Sequence, residues 1–124
     1  MNEHDLQNQI RLAVGKEQAA TLFRANVGGG WTGDVVSRSQ GRVVLANARR
    51  FSTGLPAGFP DLFGFKTIEI GERKIAAFAF VEVKTPCGRA SEKQKHMHDF
   101  LQGAGAIGGV ARSPEEALKI LSWA

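Results

Sequence analysis

Two carboxylates and one amine have the types and spacing to do chemistry together. Asp61 lies in Gly58-Phe59-Pro60-Asp61-Leu62, and Glu82 and Lys84 lie in Phe80-Val81-Glu82-Val83-Lys84. Carboxylate oxygens are the ligands that Mg²⁺ prefers, and an ammonium beside them can stabilise charge that develops on a phosphate. The set can therefore hold a divalent metal against a phosphodiester and steer a water at it. Each part also has a plainer reading. Glu-x-Lys on a strand can be a same-face ion pair worth roughly 0–1 kcal/mol. Pro-Asp can be turn chemistry, with proline fixing φ and aspartate bonding its own backbone. The joint pattern is rarer and favours the metal reading: Pro-Asp before an apolar strand start, a hairpin-length gap, then a buried strand that ends in Glu-x-Lys.

The elements that must position these groups follow from the surrounding residues. Ile75-Ala76-Ala77-Phe78-Ala79-Phe80-Val81 is apolar on both faces, which predicts a strand in the middle of a sheet. Side chains alternate along a strand, so Phe78, Phe80, Glu82 and Lys84 share one face and Val81 and Val83 take the other. Charges placed beyond two phenylalanines are costly unless they are paired or coordinate a metal. Ile70-Gly71-Glu72-Arg73 reads as a hairpin turn. That turn returns the chain so that Asp61, opening one strand, meets Glu82, closing the next, at the same end of the sheet.

The flanking segments are predicted as follows. Asn2 caps a first helix whose buried stripe is Leu6, Ile10, Ala13 and Val14, with Gly15 ending it. Glu3 projects near the end of that stripe, where it also complements the helix dipole. Ala20 to Val27 reads as a strand, Arg42 to Ala46 as a short strand, and Phe51 to Phe59 as irregular. Gly28-Gly29-Gly30-Trp31-Thr32-Gly33 formally fits G-x-G-x-x-G. No amphipathic helix follows it and no acid stands about twenty residues on, so no dinucleotide or other nucleotide cofactor is expected. It reads as a flexible connection carrying Trp31. Ser91 opens a second helix with Gln94, Met97, His98 and Leu101 on one face. Ser91-Glu92-Lys93-Gln94 is also a capping box, which gives Gln94 a structural role. His96 and His98, two apart on a helix, point to different faces and chelate one metal poorly, so His98 is expected to be a half-buried helix residue. Gly103 to Gly109 connects to a strand through Val110-Ala111, and Ser113-Pro114-Glu115-Glu116 opens a last helix.

Composition narrows the function classes. A chain of 124 residues, 43% apolar, is sized for one domain over 1–124 and has no apolar stretch long enough to span a membrane. Met1-Asn2-Glu3-His4-Asp5 is too polar and acidic for a secretory signal. Cys87 stands alone, so no internal disulfide is possible, which fits a reducing cytoplasm. The net charge of +4 is matched by Arg38, Arg42, Arg49 and Arg50, which lie in a stretch without acids from residue 35 to 60. Guanidinium groups bind phosphate bidentately, so this segment either delivers a nucleic-acid backbone to the metal or is a solvated basic surface.

Pro60-Asp61 with Glu82-Val83-Lys84 resembles the signature of the PD-(D/E)xK nuclease superfamily. With Glu3, Gly58-Phe59-Pro60-Asp61-Leu62, Glu82-Val83-Lys84-Thr85-Pro86 and Gln94, the set is similar to the virus-type replication-repair (VRR-NUC) branch, from Glu3 to near Ala117. The arginine-bearing stretch before Gly58 departs from the pattern. The resemblance implies an α/β restriction-endonuclease-like core, a central mixed sheet flanked by helices in αβββαβ-type order. It implies metal-dependent phosphodiester hydrolysis with Mg²⁺, or Mn²⁺ in its place, held by Asp61, Glu82 and the Val83 carbonyl. Lys84 would stabilise charge at the phosphate. Gln94 would orient the water or Lys84, and Glu3 would assist metal binding. The implied partner is DNA, branched as in a four-way (Holliday) junction, with flaps or nicked duplex behind it, cut by a homodimer. A second class of function is a catalytically idle nucleic-acid binder; a third, a small-molecule hydrolase, lacks a visible specificity pocket.

Overall fold

The structure is a computed structural model that describes residues 2–122. The first helix, α1 (Glu3–Lys16), starts where expected: the Asn2 side chain accepts a hydrogen bond from the Asp5 N–H, satisfying one of the orphan donors of the first turn. Leu6, Ile10 and Val14 form its buried stripe. Gly15 does not end the helix. Intrahelical bonding runs on to the cap at Glu17, and the left-handed residue that turns the chain is Gln18, at φ 53°.

The remaining elements are β1 (Thr21–Arg24), β2 (Gly29–Ser39), β3 (Arg42–Ser52), β4 (Leu62–Ile70), β5 (Arg73–Val83), α2 (Glu92–Gly103), β6 (Ile107–Ala111) and α3 (Pro114–Ile120). They divide into two compact units, Asn26–Ala57 and the rest of the chain. In the larger unit the sheet order is β1-β4-β5-β6, with β1 and β5 antiparallel to β4 and β6 parallel to β5. The sheet is therefore mixed, and α1, β1, β4, β5, α2 and β6 follow in the αβββαβ order of a restriction-endonuclease-like core. In the chain, the β2–β3 pair is inserted between the first two strands of that sheet.

Side-chain alternation explains how the layers close. Leu62, Ala79, Val81, Val83, Ile107 and Ala111 project to one face and form the core with Leu6, Ile10 and Val14 of α1 and with Ala117 and Leu121 at α3. On the opposite face Phe80 packs against His98 of α2, ring centroids 5.3 Å apart. From Ala79 to Val83 the two faces of β5 are thus covered by different helices and every residue is buried. Ile75, Ala76 and Phe78, nearer the turn and beyond the reach of β6, are exposed, so only the second half of the apolar run is buried as expected. Gly108 explains how tightly β6 fits: a Cβ there would run into the Phe80 ring and its carbonyl.

The smaller unit, Asn26–Ala57, is an antiparallel hairpin of two eleven-residue strands. This corrects two expectations. Gly28–Gly33 is not a flexible loop, because from Gly29 it lies in β2; and the strand expected at Arg42–Ala46 extends to Ser52. Period and propensity hid the pairing because the ladder is broken by two bulges, between Thr32 and Asp34 and between Val35 and Ser37. At the first, Asn47 turns left-handed at φ 54° and its amide donates to Asp34 at 3.1 Å. Gly33 is needed there, since a Cβ would stand 2.8 Å from the Ala46 carbonyl oxygen.

Candidate metal centre

The hairpin of β4 and β5 sets the register of the site. Gly71, left-handed at φ 62°, makes its tight turn, and Leu62 pairs with Val81. Asp61, one residue before β4, therefore arrives beside Glu82. Its carboxylate accepts a hydrogen bond from the Val83 N–H at 2.9 Å, and its own carbonyl accepts from the Ala25 N–H at 2.8 Å. A residue in a strand turns its N–H and C=O to the same side, so the Val83 carbonyl faces the Asp61 side of β5 as well. Gly58 lets the chain reach this point. It sits at φ 88° against the first turn of α2, where a Cβ would come within 2.5 Å of the Lys93 carbonyl oxygen.

Glu3, Asp61 and Glu82 each offer an oxygen to one cluster in which these atoms lie within 4.8 Å of one another. Glu82 is fully buried, and neither of its carboxylate oxygens has a hydrogen-bond partner among the described residues. Burial chiefly, and then the closeness and charge of the Asp61 carboxylate, push its pKa up to about 9; Lys84 opposes this and Glu3 adds to it. At neutral pH the metal-free carboxyl is thus neutral, since an ionised one in this surrounding is too costly. A divalent cation held here would reverse that preference by favouring the ionised, ligating form of Glu82. The donor set, all oxygen and two of its three members half-exposed, fits a hard cation that keeps part of its water.

Lys84 continues the Glu82 face one step beyond β5 and is half-buried. The loop after it is pinned from behind: Arg112 donates to the Thr85 carbonyl at 2.6 Å and to the Gly88 carbonyl at 2.5 Å. The Lys84 N–H itself donates to the Ala111 carbonyl at 3.1 Å. Gln94 closes the capping box with Ser91, its amide oxygen accepting from the Ser91 N–H at 2.9 Å, which leaves its NH₂ group as the part free to donate elsewhere.

Two residues count for more than the sequence suggested. Arg112 had no signal, because its partners are backbone carbonyls. His98 is buried, 6% exposed, and not half-buried as expected; its Nε2 lies 3.5 Å from Glu82 Oε1. Burial chiefly lowers its pKa, which favours the neutral ring. The helix pattern that placed Gln94 and His98 on one inward face was the available clue.

The four arginines are not one cluster. All are exposed on the hairpin unit, with Arg38 and Arg42 beside the turn at its tip and Arg49 and Arg50 paired with Thr32 and Trp31. Arg49 lies seven positions after Arg42, at most about 24 Å along a strand. The Arg50 guanidinium lies 5.8 Å from the centre of the Trp31 ring, which is 59% exposed. A separate cleft of about 810 Å³ opens in the larger unit among Arg11, Leu12, Gln18, Leu22 and Lys66, and none of its lining residues belongs to the carboxylate site. The Lys66 ammonium there is engaged by the Leu121 carbonyl.

Comparison with known proteins adds a family. The model of the VRR-NUC domain matches residues 2–115 of the chain. No curated protein matches it.

Proposed function

The chain belongs to the VRR-NUC domain family, a family of nucleases, and from that premise we propose that it is a metal-dependent endodeoxyribonuclease selective for branched DNA. The observation that supports this best is the burial of Glu82 with both oxygens unpartnered beside Asp61 and Glu3. Asp61, Glu82 and the Val83 carbonyl would hold Mg²⁺, with Mn²⁺ able to replace it, and Glu3 would assist. When bound, the ion supplies Lewis-acid activation of the phosphate and makes a neighbouring water easier to deprotonate.

The chain's own groups do the rest. The Val83 N–H fixes one Asp61 oxygen, so the carboxylate is oriented before any substrate arrives. The Lys84 ammonium stabilises the negative charge that grows on the scissile phosphate as the water oxygen bonds to phosphorus. The bond to the leaving oxygen then breaks, and that oxygen takes up a proton in exchange for the one the water loses. The Gln94 NH₂ group orients the attacking water or Lys84. Phe80, wholly buried beside Glu82, keeps bulk water from the inner side of the site and strengthens each of these electrostatic interactions. Arg38, Arg42, Arg49 and Arg50 bind the DNA backbone at two places along the hairpin, and Trp31 offers a stacking surface beside the second.

A four-way junction is the preferred substrate in this reading. A junction has near two-fold symmetry, so a homodimer would present one site to each of two strands. Among the described residues no helix is long and apolar enough to cross a membrane, and the reading puts the enzyme in the cytoplasm of a bacterial or phage-infected cell as a single domain over 1–124. The test is a panel of end-labelled four-way junction, flap, nicked duplex, duplex and single-stranded DNA, with mass measured by light scattering. Paired symmetric cuts in the junction by a particle of twice the chain mass support the proposal. Equal cutting of unbranched duplex, or activity in a monomer, contradicts the selectivity or the dimer respectively.

A further inference from the structure

Glu82 carries two oxygens and offers one to the cluster with Asp61 and Glu3. His98 also approaches this carboxylate, but it does not belong to the cluster in which the ligand atoms lie within 4.8 Å of one another. Among the described residues, His98 Nε2 and Glu82 Oε1 are both buried without a hydrogen-bond partner, yet they lie 3.5 Å apart. That separation is a few tenths of an ångström beyond a normal N–H···O bond, which spans about 2.7–3.2 Å. A small rotation of the carboxylate closes it. The imidazole is not free to turn away, because its ring packs against Phe80 at 5.3 Å and 32°, and because it projects from a helix fixed at its start by the Ser91–Gln94 box. A neutral imidazole has one N–H. Two buried polar atoms facing each other make a hydrogen bond or bear the cost of its absence.

Resting on the reading of Asp61, Glu82 and Glu3 as the metal site, we propose that His98 is a positioning residue: its Nε2–H donates to Glu82 Oε1 and holds the ionised carboxylate in the orientation that ligates the cation. It touches neither the metal nor the substrate. The contribution is that of an outer partner to a ligand, which removes one degree of freedom from Glu82 and stabilises its charge in surroundings that otherwise oppose it. The same bond explains why a polar residue occupies this inward position of α2, where Phe80 and the sheet would accept an apolar one.

The experiment is calorimetric titration of the folded protein with Mn²⁺ for wild type, His98→Phe and His98→Gln, each also melted in EDTA. His98→Phe keeps the ring volume and removes the donor, and should weaken Mn²⁺ binding by about 10–100-fold. His98→Gln can donate from nearly the same place and should recover most of that loss. Cleavage by His98→Phe should fall at limiting Mn²⁺ and return at saturating Mn²⁺, which a merely structural residue would not produce. His98→Leu takes its place should His98→Phe melt below the assay temperature. Wild-type affinity in the donorless variant overturns the inference, as does a glutamine variant no better than phenylalanine. Failure of wild type itself to take up Mn²⁺ would overturn the metal-site reading, and this inference with it; normal uptake by wild type with no effect at His98 overturns the inference alone.

Discussion

Replacing Glu82 with glutamine should remove a pH-dependent loss of stability from the metal-free protein. Burial, reinforced by the neighbouring Asp61, raises the Glu82 pKa from 4.5 to about 9. The folded state therefore holds a proton that the unfolded state releases over that range. The stability contributed by the neutral carboxyl is complete below the unfolded value of 4.5 and is lost as pH rises through the folded value of about 9. One proton corresponds to about 1.4 kcal/mol per pH unit, so between the unfolded pKa and neutrality the loss is about 3 kcal/mol. Glutamine has nearly the same shape and does not titrate. Urea unfolding in EDTA across a pH series should show wild type and Glu82→Gln alike near pH 4.5, with wild type growing progressively weaker toward neutral and alkaline pH. Mn²⁺ should restore the wild type and leave the variant unchanged, because the ion binds only the folded, ionised site. A stability difference that stays constant with pH would mean that Glu82 is not held neutral by its surroundings, and the pKa assignment would fall.

Asp61→Ala should abolish cleavage and, by leaving the Val83 N–H without its acceptor, cost about 1–3 kcal/mol in urea unfolding; Asp61→Asn keeps an acceptor and should be inactive yet nearly as stable. Lys84→Ala should lower kcat by about 10²–10³-fold with DNA affinity nearly unchanged, as read by single-turnover cleavage and fluorescence anisotropy. Replacing Arg49 and Arg50 together with alanine should flatten the dependence of log affinity on log salt by about one unit for each phosphate no longer neutralised, and an unchanged slope would remove them from the DNA path. Gly58→Ala should destabilise strongly in thermal melts, because the backbone is left-handed at φ 88° and the new Cβ meets the Lys93 carbonyl.

The active hairpin was legible in the sequence because its information is local. The apolar run of β5, the Ile70–Arg73 turn and strand alternation together put Asp61 beside Glu82, and the register of Leu62 with Val81 agrees. The helix starts at Asn2, Ser91 and Ser113 were equally readable, since each cap is a short-range hydrogen bond. Gln94 shows where local reading ends: the capping role is visible in the structure, whereas a role toward water depends on groups far away in the chain. The extent of β2 and β3 was hidden because exposed strands lack a buried face to impose a period, and because the bulges at Gly33 and Val36 break the alternation that remains. That the four arginines divide between two places on the hairpin was likewise out of reach, because it depends on the full length of β3, which holds Arg42 and Arg49 in one strand. His98 was undervalued for a related reason. Two histidines two residues apart do not chelate, but the relevant partner of His98 is Glu82 on β5, and only the packing of α2 on the sheet brings them together.

Whether Glu82 and Lys84 run a metal-dependent nuclease is decided by cleavage of an end-labelled four-way junction by wild type, Glu82→Gln and Lys84→Ala, each with Mg²⁺, Mn²⁺ or EDTA. Wild type should cut with either ion and not in EDTA, and both variants should lose cutting while the DNA stays bound. Cutting in EDTA, or cutting by Glu82→Gln at the wild-type rate, would contradict the metal site.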